Sequence, residues 1–428
     1  MAKSSKPIAR VVGGGFVGWA CALELQADGF QVELFDASAD QEAASYGNAG
    51  HLATEQLAPM ASWRTIKRLP HLLYSRGGPA SFSLSQIGHW LPFGLRLLAA
   101  SRPSRFERGL ACNRVLLGRA IPAWRDMLQR VGQPNLLSST GHRVVWESQL
   151  SAAKGMQSWL SADLGSTTAC ALDKPSIQMI SKQFAGKPVA GLQFTGTGHI
   201  RDLQLARTAM RETFAADGGI WHKQTVDQIR KTSGGSQLVV KDAAQARLVG
   251  EAQDLIVVCA GIGSGDLLRE HFGQLPMIAE RGYHLQLENT SLANLNLDSP
   301  VVFEDRSVIV TPFAHGLRLA SFTEFSSAKA RSDLGKWLRL KQHARDLGID
   351  AEEGSPTTWI GSRPTLPDYM PAIGRSHSAD NLILACAHHH LGLTLAAVTG
   401  QLVRLLARRQ SLAVDISALA PQRYIQHF

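Results

Sequence analysis

Cysteine is sparse in this 428-residue chain, and none of it is arranged for pairing. The five cysteines, Cys21, Cys112, Cys170, Cys259 and Cys386, are odd in number and far apart, with no C-x-x-C pair. That excludes a disulfide framework; at least three lie in apolar runs and read as small buried hydrophobes of a reducing compartment. Long hydrophobic runs are missing too, since no uninterrupted apolar stretch reaches the roughly 18 residues of a membrane span. No block of Lys and Arg is long enough to mark a nucleic-acid binder. Internal repeats and low-complexity linkers are absent. The first strand begins within about ten residues of Met1, leaving no room for a signal peptide. The expected place is the cytoplasm, or the inner face of a membrane as a peripheral protein.

What is present describes an ordinary globular enzyme-sized chain: 44% hydrophobic and 18% charged. Its length favours two interlocked domains, each with a core. Lys and Arg total 44 against 35 Asp and Glu, a formal charge of +9. Such an excess suits anionic partners: a phosphorylated cofactor, a carboxylate substrate or an acidic membrane surface.

Ile8 to Val12 reads as a buried strand, Phe16 to Ala27 as a helix of small and apolar residues, and Gln31 to Phe35 as a second strand. Between the first two, Gly13, Gly15 and Gly18 fill G-x-G-x-x-G. Gly13 permits the tight turn, Gly15 lets the backbone approach a pyrophosphate, and Gly18 lets the helix pack on the strand. Phe16 and Val17 begin the helix, whose free N–H groups suit phosphates. Asp36, ending the second strand, is placed for a ribose diol. The motif alone does not separate NAD from FAD.

The next stretch, "AASYGNAGHLATEQLAPM" (43–60), does not continue as a nicotinamide-type domain does. Ser45 and Asn48 can bond a ribityl chain or phosphate, while Ala49 and Gly50 allow close approach to a flat ring. "ASYGNAGHL" is similar to the ribityl-binding, flavin-facing segment of the D-amino-acid dehydrogenase/oxidase family of FAD-dependent oxidoreductases. "PMIAERGYHLQL" (276–287), "VIVTPFAHGLRLASFTEF" (308–325), "WIGSRPTLPDYMPAIGRS" (359–376) and "NLILACAHHHLGLTLAAVTGQLVRLL" (381–406) resemble later segments of that family, in family order. The nearest resemblance is to its bacterial D-amino-acid or hydroxyproline dehydrogenase branch.

The resemblance implies FAD, held without a covalent bond, beside a small amino-acid substrate. Electrons would leave to a quinone chain, a carrier protein or oxygen. It assigns Arg363 of "GSRPTLPD" to the substrate carboxylate; the residues alone allow that, because a planar guanidinium grips a carboxylate bidentately, or a loop anchor. On a strand, Arg281 and Tyr283 of "ERGYH" share one face and Glu280, Gly282 and His284 the other. If the first face lines a pocket, Arg281 and Tyr283 reach an anionic substrate; a core Tyr is the alternative. The catalytic candidates are therefore His51, Tyr283 and Arg363, with Arg281, His284 and His390 as substrate contacts. His51 follows the flavin-facing Ala-Gly, where it could steer or deprotonate an amine. Leu52, Val226, Ala260, Gly261 and Gly361 join the cofactor contacts.

His388, His389 and His390 are adjacent, so their rings cannot all converge, and no zinc-type spacing accompanies them. No metal is expected. The stretch instead opens a turn into a helix whose free N–H groups, at Gly392, Leu393 and Thr394, can stabilise negative charge on a reduced flavin. The family usually has glycine where Ala387 and His389 stand.

The expected fold is α/β, a Rossmann-like FAD-binding domain interleaved with a mixed or antiparallel β-sheet substrate domain. The first is read as residues 1–90, 195–272 and 356–428, the second as 91–194 and 273–355. Within "WLPFGLRLLAASRPSRFERG" (90–109) the pattern is a core helix with exposed arginines, or an amphipathic helix touching a membrane or quinone-linked partner. The function implied is oxidative deamination of a D-amino acid or cyclic relative by hydride transfer to the flavin. An oxidase of sarcosine-like secondary amines and a flavin-binding subunit without turnover are the alternatives.

Overall fold

Strand Ile8–Val12, helix Phe16–Ala27 and strand Gln31–Phe35 form with the bounds read from the sequence. They belong to a computed structural model that describes the chain except residues 1–5, 39–42, 242–244, 289–294, 296, 353–355, 411–414 and 425–428. Gly13 lies in the left-handed region at φ +107°, and a Cβ there would meet the Cys259 carbonyl oxygen at 2.5 Å. A Cβ on Gly18 would meet the Gly13 carbonyl oxygen at 1.8 Å. Only glycine at both positions lets the turn close and the helix lie on the strand.

The first sheet has six strands, ordered Ile220–His222, Gln31–Phe35, Ile8–Val12, Leu255–Val258, Leu382–Cys386 and Ala372–Arg375. The first five run parallel and the last antiparallel. Its strands Leu255–Val258 and Leu382–Cys386 are apolar on both faces, as a covered parallel sheet requires. Val11, Val257 and Ile383 join the core of a helical layer. Val12, Val258 and Leu384 pack instead with a three-stranded antiparallel sheet, Thr225–Thr232, Gly235–Lys241 and Ala246–Val249. Helix Gly392–Ala407 lies against Phe16–Ala27 in the helical layer. Among the described residues His389–Ala407 is the single helical stretch long and apolar enough to cross a membrane, and most of it is buried in this core.

The second sheet is mixed. Its strand Ile278–Glu288 pairs antiparallel with Gly316–Ser326 on one side and Thr357–Thr365 on the other. Val308–Phe313, Val301–Phe303, His142–Trp146, Ala190–Thr195 and Thr168–Ala171 continue it; the join between Val301–Phe303 and His142–Trp146 is parallel, as is that of the short strand Ala80–Ser81 with Gly316–Ser326. Helix Leu334–Asp346 closes one face, placing Leu340 and Ala344 in a core with Leu285, Leu317 and Leu319. The architecture is the expected interleaving of a doubly covered parallel sheet with a mixed one.

Two stretches sit differently from the boundaries read in the sequence. Helices Pro103–Gly118 and Ala120–Arg130 bury Cys112, Leu116, Trp124 and Met127 in the helical layer of the first sheet. Trp124 Nε1 donates to the Leu393 carbonyl at 2.8 Å, fixing the start of the last helix. Thr357–Thr365 is an edge strand of the second sheet. Periodicity reveals that a face is apolar, not which sheet it will cover. Four cysteines are buried and Cys170 is exposed.

Candidate active site

A cavity of about 1030 Å³ runs from the glycine turn to the strand Ile278–Glu288. Gly13, Gly15, Phe16, Val17, Asp36, Ser45, Asn48, Ala49, Val226, Ala260, Gly261, Gly361, Gly392 and Leu393 line it, as do His51, Tyr283, Arg363 and His390. Gly18, Gly50, Leu52 and Thr394 stand behind the wall instead. The Phe313 ring leaves no room for a Cβ on Gly50, and Leu52 is wholly buried. Thr394 Oγ1 accepts from the Ala53 N–H at 3.0 Å.

Two helix N-termini meet the cavity. Phe16–Ala27 and Gly392–Ala407 each begin without a side-chain cap and without an acid in the first turn. Their leading N–H groups and positive dipole ends are open to negative charge. Asp36 Oδ2 accepts from the Gly14 N–H at 2.5 Å and Oδ1 from the Ser38 N–H at 2.8 Å, which fixes the carboxylate at the turn.

Ala387 and His389 both adopt positive φ, +61° and +41°. The backbone keeps a glycine-type path although the side chains are larger, at a cost of about 1–3 kcal/mol for each such residue. The three rings do not converge on one point: His388 Nε2 meets Thr399 Oγ1 at 2.9 Å, while His389 Nδ1 meets His390 Nδ1 at 3.1 Å and His390 Nε2 reaches Gln56 Oε1 at 2.8 Å. Because Oε1 only accepts, His390 carries its proton on Nε2 and accepts from His389.

His284 does not face the cavity. It is buried, stacks on Trp359 and bonds the Gly47 carbonyl through Nδ1 at 2.9 Å. Arg318, unmarked in the sequence reading, holds the same loop from the second sheet, donating to the Asn48 carbonyl at 2.6 Å and the Tyr46 carbonyl at 3.3 Å. These two residues shape the 45–50 loop from behind and are not substrate contacts.

The alternation of "ERGYH" holds, but the face is reversed. Arg281 donates to Glu324 Oε1 at 3.0 Å, and the Tyr283 hydroxyl donates to Glu324 Oε2 at 2.6 Å. Lys336 Nζ completes this buried cluster at 2.8 Å from Glu324 Oε2. The Tyr283 hydroxyl also accepts from the Asp333 N–H at 3.1 Å, and burial together with the Glu324 bond pushes it up. The Arg281 guanidinium is enclosed by Glu324, Ser326 and the Arg331 carbonyl. Arg281 does not line the cavity, and Tyr283, which does, has its hydroxyl committed to Glu324 and the Asp333 N–H.

The other face carries Arg363. Its guanidinium lies over Gly282, where a Cβ would meet Nη2 at 2.2 Å. Among the described residues its hydrogen bonds leave from Nη1 alone, to Glu280 Oε1 at 3.5 Å and the Phe322 carbonyl at 3.4 Å, both long. Phe322 stands at φ +67° where the pairing of Ile278–Glu288 with Gly316–Ser326 shifts register. Glu280 is buried and its second oxygen accepts from Thr365 Oγ1 at 3.0 Å. Nε and Nη2 remain open, on the cavity wall.

Opposite in sequence but on the same cavity, His51 Nε2 donates to Glu55 Oε1 at 3.1 Å. A carboxylate only accepts, so the neutral His51 ring carries its proton on Nε2 and leaves Nδ1 bare. That Nδ1 and Glu55 Oε2 are buried without a partner among the described residues. Burial would raise the Glu55 carboxyl, but the His51 and His142 rings outweigh it and bring it to about 2. His142 packs 4.4 Å from the His51 ring and bonds Thr197 Oγ1 through Nδ1 at 3.0 Å. The donor atoms of His51, Glu55 and His142 lie within 4.8 Å of one another, a grouping that could hold a metal ion. The i, i+4 spacing of "HLATE" is the signal that could have found Glu55.

Buried rings give the fold a pH signature. Burial holds His142, His284 and His388 down to about 3 and His199 to about 4. Below the ordinary value of about 6.5 the unfolded chain takes up protons that the folded chain refuses. Stability is therefore full above that value and falls with pH below it, by up to about 1.4 kcal/mol per ring per pH unit. Melting temperature is expected to drop steeply between about pH 6 and pH 5, and less steeply in His388→Gln. A melting temperature flat across that range would contradict the buried, neutral rings.

An uncapped helix behind a glycine turn, a second uncapped helix at the far wall and a long cavity between them form a dinucleotide site. The family model described as "FAD dependent oxidoreductase" matches residues 10–406, and the chain belongs to that family and uses FAD. It is 25% identical over 422 residues to D-amino-acid oxidase of Bradyrhizobium diazoefficiens, covering 97% of this chain and 98% of that one. It is 27% identical over 436 residues to D-amino acid dehydrogenase 2 of Pseudomonas aeruginosa, covering 96% and 97%. Among solved structures, glycine oxidase from Geobacillus kaustophilus superposes with a TM-score of 0.69 at 19% identity, covering 97% and 98%. L-proline dehydrogenase from P. horikoshii superposes at 0.67 with 14% identity, covering 98% of each chain. The residues fit the cofactor: the turn excludes a Cβ at Gly13 and Gly18, and two dipole ends await its negative groups.

Proposed function

We propose that the chain oxidises a small amino acid, a D-amino acid or a cyclic relative such as hydroxyproline, at the carbon bearing nitrogen. The observation that carries this reading is Arg363, a cation on the cavity wall with Nε and Nη2 open and Glu280 behind it. When bound, FAD supplies the two-electron acceptor for hydride from the Cα–H bond. Arg363 grips the substrate carboxylate and fixes the direction of that bond. His51 takes the amine proton at Nδ1, and Glu55 holds the ring in the tautomer that can do so. We read His51, Glu55 and His142 as a proton-handling group because His51 and Glu55 already bond each other. The imine product hydrolyses after release. The names of the curated relatives agree with this substrate class.

We place the reaction in the cytoplasm, with FAD held non-covalently. Cys259 and Cys386 line the cavity, but burial pushes both thiols up, Cys386 to about 12, so neither offers a thiolate for attachment.

The test is anaerobic bleaching of the yellow protein by D- and L-amino acids, hydroxyproline isomers and sarcosine. Bleaching by an amino acid is expected, and peroxide on admitting oxygen would mark an oxidase; a dehydrogenase would pass electrons to a quinone or carrier protein. A protein that none of the panel bleaches is a flavin-binding subunit, and the proposal fails. Glu55→Gln is expected to lower kcat roughly 10²-fold with KM and flavin content unchanged. An unchanged kcat would remove Glu55 from the proton path.

A further inference from the structure

We propose that His51, Glu55 and His142 form an inhibitory Zn²⁺ site: the ion, seated among them, closes the proton path of the active site. The three side chains come from strand His51–Leu52, the turn that follows it and strand His142–Trp146. All three line the cavity, which gives an ion its way in. Their donor atoms lie within 4.8 Å of one another, and His51 Nε2 stands 3.1 Å from Glu55 Oε1. A tetrahedral Zn²⁺ takes imidazole nitrogen at about 2.0–2.1 Å and carboxylate oxygen at about 2.0–2.2 Å, which sets neighbouring ligand atoms roughly 3.4 Å apart. The first pair is already close to that spacing, and a small turn of the His142 ring, 4.4 Å from His51 by centroids, brings in the third. Glu55 is 3% exposed, and its Oε2 is buried with no partner among the described residues. A buried carboxylate oxygen left unpaired is costly, and a cation held by Glu55 relieves that cost.

Donor chemistry selects the ion. Two imidazoles and one carboxylate suit a borderline ion such as Zn²⁺, whereas Mg²⁺ and Ca²⁺ ask for oxygen ligands. Three protein ligands with a fourth position on the cavity make an open site. His142 is supported from behind: its Nδ1 lies 3.0 Å from Thr197 Oγ1, and when that nitrogen donates, Nε2 is left bare for the ion. The effect on turnover follows from the His51 tautomer. A neutral ring with Zn²⁺ on Nε2 carries its proton on Nδ1, the atom that takes the amine proton in the reading above. The metal-free group is the working one, and zinc competes for it. Binding stands on the geometry alone; the block on turnover rests on the amine-oxidising reading.

The test is calorimetric titration of the metal-free, flavin-loaded protein with Zn²⁺. One ion per chain is expected, with a rise in melting temperature that Mg²⁺ does not give. Glu55→Gln and His142→Gln should each weaken that binding at least tenfold, with flavin content certifying that both variants are folded. Anomalous diffraction at the zinc edge, from crystals of the natural protein, is a readout free of variants and should place the ion among the three side chains. Where an amino acid bleaches the flavin, saturating Zn²⁺ should slow that reduction at least tenfold and a chelator should restore it. No binding, binding undiminished in both variants, or a zinc peak only elsewhere would overturn the site. Zinc seated among these residues with flavin reduction unslowed would overturn the block. A protein that no amino acid bleaches fails the earlier reading and the block with it, while calorimetry and diffraction still decide the site.

Discussion

Gly18→Val is expected to leave a chain that purifies without flavin or does not fold. A Cβ at that position would lie 1.8 Å from the Gly13 carbonyl oxygen, and that contact is with backbone, not with the far end of a movable side chain. Relief requires the helix Phe16–Ala27 to withdraw from strand Ile8–Val12, taking its N–H groups away from the phosphates. The same helix packs along Gly392–Ala407, so the second dipole end moves as well. Gly94→Ala is the matched control: nothing lies within 4 Å of a Cβ there, and inside a helix alanine is favoured by about 0.5–1 kcal/mol. Flavin absorbance and melting temperature after purification check both variants. Yellow Gly18→Val protein of ordinary stability would contradict the packing described.

The second large effect is at Arg363. Arg363→Ala should retain FAD yet lose roughly 10²- to 10³-fold in kcat/KM, because removing one partner of a buried charged contact costs about 2–5 kcal/mol. Glu280 is buried beside it with Thr365 on its second oxygen, so the alanine variant also leaves that acid poorly balanced. Arg363→Lys separates the two causes. It restores a charge near Glu280 but not the planar fork, so stability should recover while kcat/KM stays well below that of the natural protein. Steady-state kinetics and melts of both variants are the check. If lysine restores turnover fully, bidentate grip is not what the guanidinium provides.

Much of the fold was legible because the relevant signals are local. A buried strand, a glycine turn and a small-residue helix specify one another within a short stretch, and Ile8–Val12, Phe16–Ala27 and Gln31–Phe35 have the expected bounds. The cofactor wall followed the same route, since its residues come from loops that a sequence motif can mark. The substrate side was harder. Alternation correctly put Arg281 with Tyr283, and Gly282 with Glu280 and His284, but no local pattern says which face looks at a ligand. That was settled by Glu324 and Lys336, which come from another strand and a helix and neutralise the Arg281–Tyr283 face. His284, expected among the substrate contacts, is buried, and its ring supports the Gly47 carbonyl from behind. Helices Pro103–Gly118 and Ala120–Arg130 pack in the helical layer of the first sheet; their apolar faces fit either core until the chain is closed.

At the centre of the account is a guanidinium that recognises the acid group of the molecule being oxidised. The most direct measurement is anaerobic, single-turnover flavin reduction by an amino acid that bleaches the protein, beside the same compound lacking its carboxyl group. Rapid reduction by the first and none by the second is the predicted result, with Arg363→Ala slow toward the first. Equal reduction by the decarboxylated amine would contradict it.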